Sequence, residues 1–203
     1  KRYKSLEMAL YGLSRNPRKA AWNRLAFYNL TDMERTAEAL KYADALFNAS
    51  DSSKFTGFDY TYYGTALKND KQYDKAIEMF NKAMEENKGN EELVNSNRKA
   101  LSDLFLAKED FDKATAYYEE YLKHAPKTTA SDMAGLATIY MNLAAKQTGD
   151  QQKASFKKAD DVYARLGEKF PANIDFANFM RARINSNLDP ETKEGLAKPF
   201  YEA

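Results

Sequence analysis

The chain has no cysteine, one histidine, five prolines and eight glycines in 203 residues. Without thiols there is no disulfide, no thiolate metal ligand and no cysteine nucleophile. This leaves the compartment open, because cytoplasmic and periplasmic proteins alike can lack cysteine. The lone imidazole, His124, sits just before Pro126. There it suits a helix C-terminus, where it favours the free carbonyls and the dipole. One histidine argues against a histidine-rich metal site and a Ser-His-Asp triad. Neither GxxxxGK[ST] nor GxGxxG occurs, so nucleotide binding has no motif and no cofactor is expected. No apolar run approaches the ~20 residues that span a bilayer. Lys plus Arg number 31 and Asp plus Glu 30, a net charge of +1. That balance offers no general field for nucleic acid or an anionic membrane.

What is present is helical. Hydrophobic residues make up 43%, charged residues 30%, with 14 Tyr and 12 Phe. This composition folds, and the length suits one sizeable domain or a short array. Apolar residues recur at three and four, as in Ala76, Ile77, Phe80, Ala83 and Met84, and no run alternates as a strand would. The pattern predicts an all-α chain with helices over 2–14, 19–30, 32–48, 57–69, 72–87, 91–108, 111–124, 130–147, 151–169, 173–187 and 190–202. Asn16-Pro17 ends the first. Thr31-Asp32-Met33-Glu34 reads as a capping box. Asn90 before Glu91-Glu92 suits a helix start. Thr148-Gly149-Asp150 and Asp189-Pro190-Glu191 each read as a stop and restart.

The helices repeat. Tyr73-Asp74-Lys75-Ala76 returns as Phe111-Asp112-Lys113-Ala114 and as Phe156-Lys157-Lys158-Ala159. Each alanine is followed four residues later by an aromatic: Phe80, Tyr118, Tyr163. Upstream, Tyr60-x-x-Tyr63-Gly64-x-x-Leu67 has counterparts in Trp22-x-x-Leu25-Ala26, Leu101-Ser102-x-x-Phe105 and Leu136-Ala137-x-x-Tyr140. Pro126 and Pro171 each lie twelve residues past their alanine.

These residues resemble the tetratricopeptide repeat (TPR) family over nearly the whole chain, most strongly in 57–90 and 95–128. The resemblance implies a right-handed α-solenoid of about four to five antiparallel helix pairs. It would form one domain over 1–203, with repeats near 19–52, 57–90, 91–128 and 129–173, a partial repeat at 174–203, and a lone helix at 1–17. A small residue on each helix, Gly64 and Ala76 in the clearest pair, lets the backbones approach while aromatics fill the space beside them. The first repeat departs from the pattern: Glu38 takes the alanine slot and Ala39 its neighbour. Ala76 to Ala114 is 38 residues and Ala114 to Ala159 is 45, against the family's 34. The surplus of the longer spacing falls around Met141–Ser155, read as lengthened helices with a looser Gln147–Gln152 turn; the four extra residues of the shorter one precede Ser102, read as an elongated helix starting near Glu91. Both ends read as half-pairs, as in a longer or capped array.

In the family the first helix of each pair lines a concave groove. On that basis the candidate groove residues are Asn23, Phe27, Phe58, Thr61, Thr65, Lys68, Lys99, Asp103, Thr138, Asn142 and Asn178, with Asn185 beside them. The surface is mixed, with hydroxyls, amides, a few charges and two phenylalanines. The implied function is a non-catalytic scaffold that binds a protein or peptide. The alternative is a small-ligand or glycan receptor, which needs an exposed platform from Phe27, Phe58 and Tyr62. Trp22 falls in a packing slot. The Lys and Asn of a chaperone-carboxylate clamp are missing at Asn23/Phe27 and Thr61/Thr65, so that subclass is rejected. Arg181 and Arg183 form a cation pair, with Asp175 and Asp189 as expected partners. Richness in Asn, Tyr and Lys with irregular repeats is similar to TPR proteins of Gram-negative gut bacteria (Bacteroidetes-like). This favours an extracytoplasmic setting, periplasmic or outer-membrane associated.

Overall fold

In a computed structural model the described residues are 2–51 and 54–202. Ser52, the expected end of the first repeat, and the chain ends Lys1 and Ala203 lie outside them. Among the described residues the regular structure is helical, with no strand. The chain divides into two compact units, one up to Leu104 and one from Phe105.

The first unit contains α1 (Arg2–Arg15), α2 (Ala20–Asp32), α3 (Thr36–Asp44), α4 (Gly57–Asn69), α5 (Tyr73–Glu86) and most of α6 (Glu91–Ala107). α1 packs on α2, α2 on α3 and α4 on α5. The alanine slots are filled as the repeat pattern requires. Ala9, Ala39, Ala43, Ala76 and Ala83 are fully buried. Ala39, not Glu38, is the small residue of α3; Glu38 is exposed and pairs with Arg35. A Cβ built on Gly64 would sit 3.0 Å from the Phe80 ring. The glycine of α4 therefore makes room for the aromatic one turn after Ala76, and both residues are buried. α3 ends in a single π turn over Ala45–Ala49, where the buried Leu46 points into the core and Ser50 Oγ donates to its carbonyl.

The second unit carries the end of α6 with α7 (Phe111–His124), α8 (Ala130–Lys146), α9 (Gly149–Lys169), α10 (Ile174–Leu188) and the short α11 (Lys198–Tyr201). α7 packs on α8, α8 on α9, α9 on α10 and α10 on α11. Ala114 and Ala159 are fully buried, and so are Tyr118 and Tyr163 four residues on. The 45-residue spacing comes from α8 and α9, which run 17 and 21 residues.

Three expectations are corrected. Thr31 is not a cap: α2 continues through Asp32, and the Thr31 hydroxyl donates to Phe27 O at 2.9 Å, the interior habit of a helical threonine. The turn after α8 is not loose, since only Gln147 and Thr148 separate the two helices. The helix expected over 190–202 shrinks to Lys198–Tyr201. The reason is Asp189, whose carboxylate accepts from the backbone amides of Lys193, Glu194 and Gly195 at 2.8–2.9 Å. Those amides are consumed by a loop and cannot begin a helix.

Scarce glycine shows in the turns within pairs. Glu34, Lys71 and Glu109 hold φ of 57°, 61° and 57°. Each sits just past a helix end with the same double closure, for example Lys71 N–H to Lys68 O and Gln72 N–H to Leu67 O. This is the Schellman arrangement, which favours glycine at that position. A side chain in left-handed backbone costs about 1–2 kcal/mol, offset in part by the greater entropy that glycine loses on folding. We expect Lys71→Gly and Glu34→Gly each to raise stability by about 0.5–1 kcal/mol. Urea midpoints check this, and a lower midpoint in either variant would refute it.

Candidate functional site

The structure splits the expected groove residues into groups. Asn23 and Phe27 are in the core, 2% and 0% exposed. On α2 the buried set is Ala20, Asn23, Ala26, Phe27, Leu30 and Thr31. Asn23 can be there because its amide donates to Pro17 O at 2.9 Å and Lys19 O at 3.2 Å. Phe27 lies edge-on to Tyr28, Tyr62 and Tyr63. Tyr62 is itself stacked on Tyr28, with ring centroids 4.0 Å apart. The three-ring sugar platform is therefore absent, and only Phe58, 49% exposed, offers a face. Trp22 packs as expected, its indole lying where a Cβ on Gly12 would be.

Phe58, Thr61, Thr65 and Lys68 share a face of α4. Thr61 Oγ1 lies 3.1 Å from Asn97 Oδ1 on α6, and Thr65 Oγ1 donates to Thr61 O. Asp103 on α6 is flanked electrostatically by Lys68 and Lys99. Its surface is exposed. Desolvation around the carboxyl nonetheless raises its pKa, and Lys68 and Lys99 pull it down less strongly. The structure thus brings six of the expected residues onto α4 and α6. In the second unit Thr138 and Asn142 are exposed on α8 and Asn178 is half-buried on α10. Asn142 edges a shallow depression beside Leu106, Phe111 and Lys146. Asn185 is buried and donates to Asp160 Oδ1 at 2.8 Å.

Arg181 does pair with an acid, but with Asp160 of α9, through two bonds of 3.0 Å, rather than Asp175 or Asp189. Its guanidinium also lies 4.3 Å from the Phe200 ring centroid. Arg183 lies over Phe179. His124 ends α7, 3.3 Å from Glu120. Among the described residues no group of three or more His, Asp or Glu is placed to hold a metal. No helix among them is long and apolar enough to cross a membrane.

Sequence reasoning missed the polar links between successive pairs. Thr56 and Asp59 form a capping box at the start of α4, and Thr129 and Asp132 form another at α8. Each carboxylate has lone pairs left over, and the preceding pair uses them. Arg24 donates twice to Asp59, at 2.6 and 3.0 Å, and Tyr28 Oη donates at 2.8 Å. Tyr121 Oη donates to Asp132 at 3.0 Å. Burial alone would raise the Asp59 pKa. Arg24, the Thr56 amide and Tyr28 together outweigh it and hold the carboxyl below its ordinary value. The same burial and the adjacent carboxylate push the Tyr28 phenol up. The signal was available as Thr-x-x-Asp ahead of each apolar run.

No family model matches the chain, and no curated protein matches it. Solved structures do. The C-terminal part of a TPR repeat-containing protein from Cytophaga hutchinsonii superposes with a TM-score of 0.75 at 23% identity, over 99% of this chain and 72% of that one. MamA of strain AMB-1 gives 0.65 at 14% identity, over 90% and 88%. PilF of Pseudomonas aeruginosa gives 0.57 at 15%, over 98% and 88%. Buried alanine–aromatic pairs, antiparallel helix pairs and these likenesses agree: the chain has the tetratricopeptide-repeat fold.

Proposed function

We propose that this chain is a non-catalytic interaction scaffold that holds a protein or peptide partner against the α4–α6 face. The observation that supports it is the convergence of an exposed ring with hydroxyls and charges from two helices. Phe58 stands exposed at one end, Thr61 and Thr65 follow, and Lys68 and Lys99 surround Asp103. An extended segment could meet alternating apolar, hydrogen-bonding and charged contacts there. Fixed backbones hold these groups, so little ordering is lost on binding. The fold likeness adds an associational argument, since helical-repeat arrays present surfaces of this kind.

A photo-reactive residue at Thr65 tests this, with the same residue at Glu78 on the exposed face of α5 as control. A specific adduct is expected at position 65 and not at 78. Lys68→Glu with Lys99→Glu should cut capture at least tenfold. Equal capture by wild type and the charge-reversed variant would sink the proposal.

A further inference from the structure

The second unit contains a cleft of about 670 Å³ that the α4–α6 reading does not use. It lies where α7 and α9 flank the start of α8. Its floor is apolar: Leu122 from α7, Met133 and Leu136 from α8, and Val162 from α9. Met133, Leu136 and Val162 are buried and Leu122 half-buried, so the floor is a continuation of the core that an apolar side chain could extend. The volume falls within the range of ordinary ligand pockets.

Three cations and two acids, Glu119 and Glu168, stand around that floor, an excess of one positive charge. Lys123 stands on one wall; Arg165 and Lys169, one turn apart, stand on the other. Two acids share the rim, and one is already engaged: Tyr140 Oη donates to the Glu119 carboxylate. Among the described residues neither Arg165 nor Lys169 has a carboxylate within ion-pair distance, and the Lys169 ammonium lies over the Phe170 ring at 5.7 Å. Lys123 pairs with Glu120, which lies off the cleft lining. A guanidinium beside an apolar floor, with no carboxylate in ion-pair range among the described residues, is suited to bidentate capture of a carboxylate.

We propose that this cleft binds an acidic-hydrophobic peptide segment. One large aliphatic or aromatic side chain would enter between Leu122 and Val162, and a flanking carboxylate would meet Arg165 and Lys169. The site is separate from the α4–α6 face, so the chain would hold a partner at two places or two partners at once.

The probe is a fluorescein-labelled peptide Glu-Glu-Leu-Phe-Glu-Glu, with Gln-Gln-Leu-Phe-Gln-Gln and Glu-Glu-Ala-Ala-Glu-Glu as controls, titrated with the full chain by anisotropy. Binding of the first is expected, with each control at least tenfold weaker. Arg165→Glu, at an exposed position without an ion pair, should weaken it at least tenfold and leave the circular dichroism unchanged. Lys68→Glu with Lys99→Glu should leave it intact, which separates this site from the α4–α6 face. No binding of the first peptide would overturn the proposal. So would equal binding of the glutamine peptide, an unaltered affinity in Arg165→Glu, or loss of binding only in the Lys68/Lys99 variant.

Discussion

Asp59→Ala lowers the stability of the first unit by about 3–5 kcal/mol, the usual cost of removing one partner from a buried ion pair. Its side chain is wholly buried, and it serves four donors at once: the Thr56 amide, the Thr56 hydroxyl, Arg24 and Tyr28. Loss of the cap alone accounts for about 1 kcal/mol of this. The remainder comes from Arg24 and Tyr28, left without their acceptor. Replacing the pair together, Arg24→Met with Asp59→Leu, should recover part of the loss, because no uncompensated charge remains. Urea unfolding followed by circular dichroism measures all three. A single-variant loss below about 1 kcal/mol would refute the assignment.

The same residue sets an acid dependence. Its pKa is lower in the folded state than in the unfolded chain. The contribution is therefore fully present above the unfolded carboxylate value of about 3.9 and is lost as pH falls through the lower folded value. Asp59→Asn removes this titration. Its melting temperature should fall less steeply than wild type's below about pH 4. Parallel acid limbs in the two proteins would count against it.

Phe27→Ala is the second large effect, and it discriminates between a groove residue and a core residue. The ring is fully buried among Tyr28, Tyr62 and Tyr63. Truncation should cost about 3–5 kcal/mol. Phe58→Ala, at a half-exposed ring on α4, should stay within about 0.5 kcal/mol of wild type. A Phe27 variant as stable as wild type would return the residue to the surface face and reopen the sugar-platform reading.

The fold was legible because its pattern is carried by small residues in long helices. Ala76, Ala114 and Ala159, each with an aromatic four residues on, fell where the repeat required and are buried. Helix ends were legible where local chemistry announces them, as at Glu91, and illegible where a side chain captures amides several residues further on, as Asp189 does from the end of α10. The face of α2 was misread because Asn23 is polar. Ala20, Asn23, Phe27 and Leu30 nevertheless follow a spacing of three, four and three, with three apolar members. An amide at such a position is buried when nearby carbonyls need a donor, and Pro17 and Lys19 supply them. Ion-pair partners such as Asp160 for Arg181 are set by the packing of neighbouring helices, so sequence proximity favoured the wrong acids.

The carboxylate that closes the first turn of α4 is also the anchor for a side chain of α2. Ordinarily the opening turn of a helix frays, and its amides exchange with solvent at little cost. Here that turn cannot open without also releasing Arg24. Deuterium uptake at the start of α4 should therefore follow opening of the α2–α3 pair, and neighbouring hairpins melt as a joint unit instead of unzipping singly. At this joint a single acid carries part of the nearest-neighbour coupling that repeat proteins depend on.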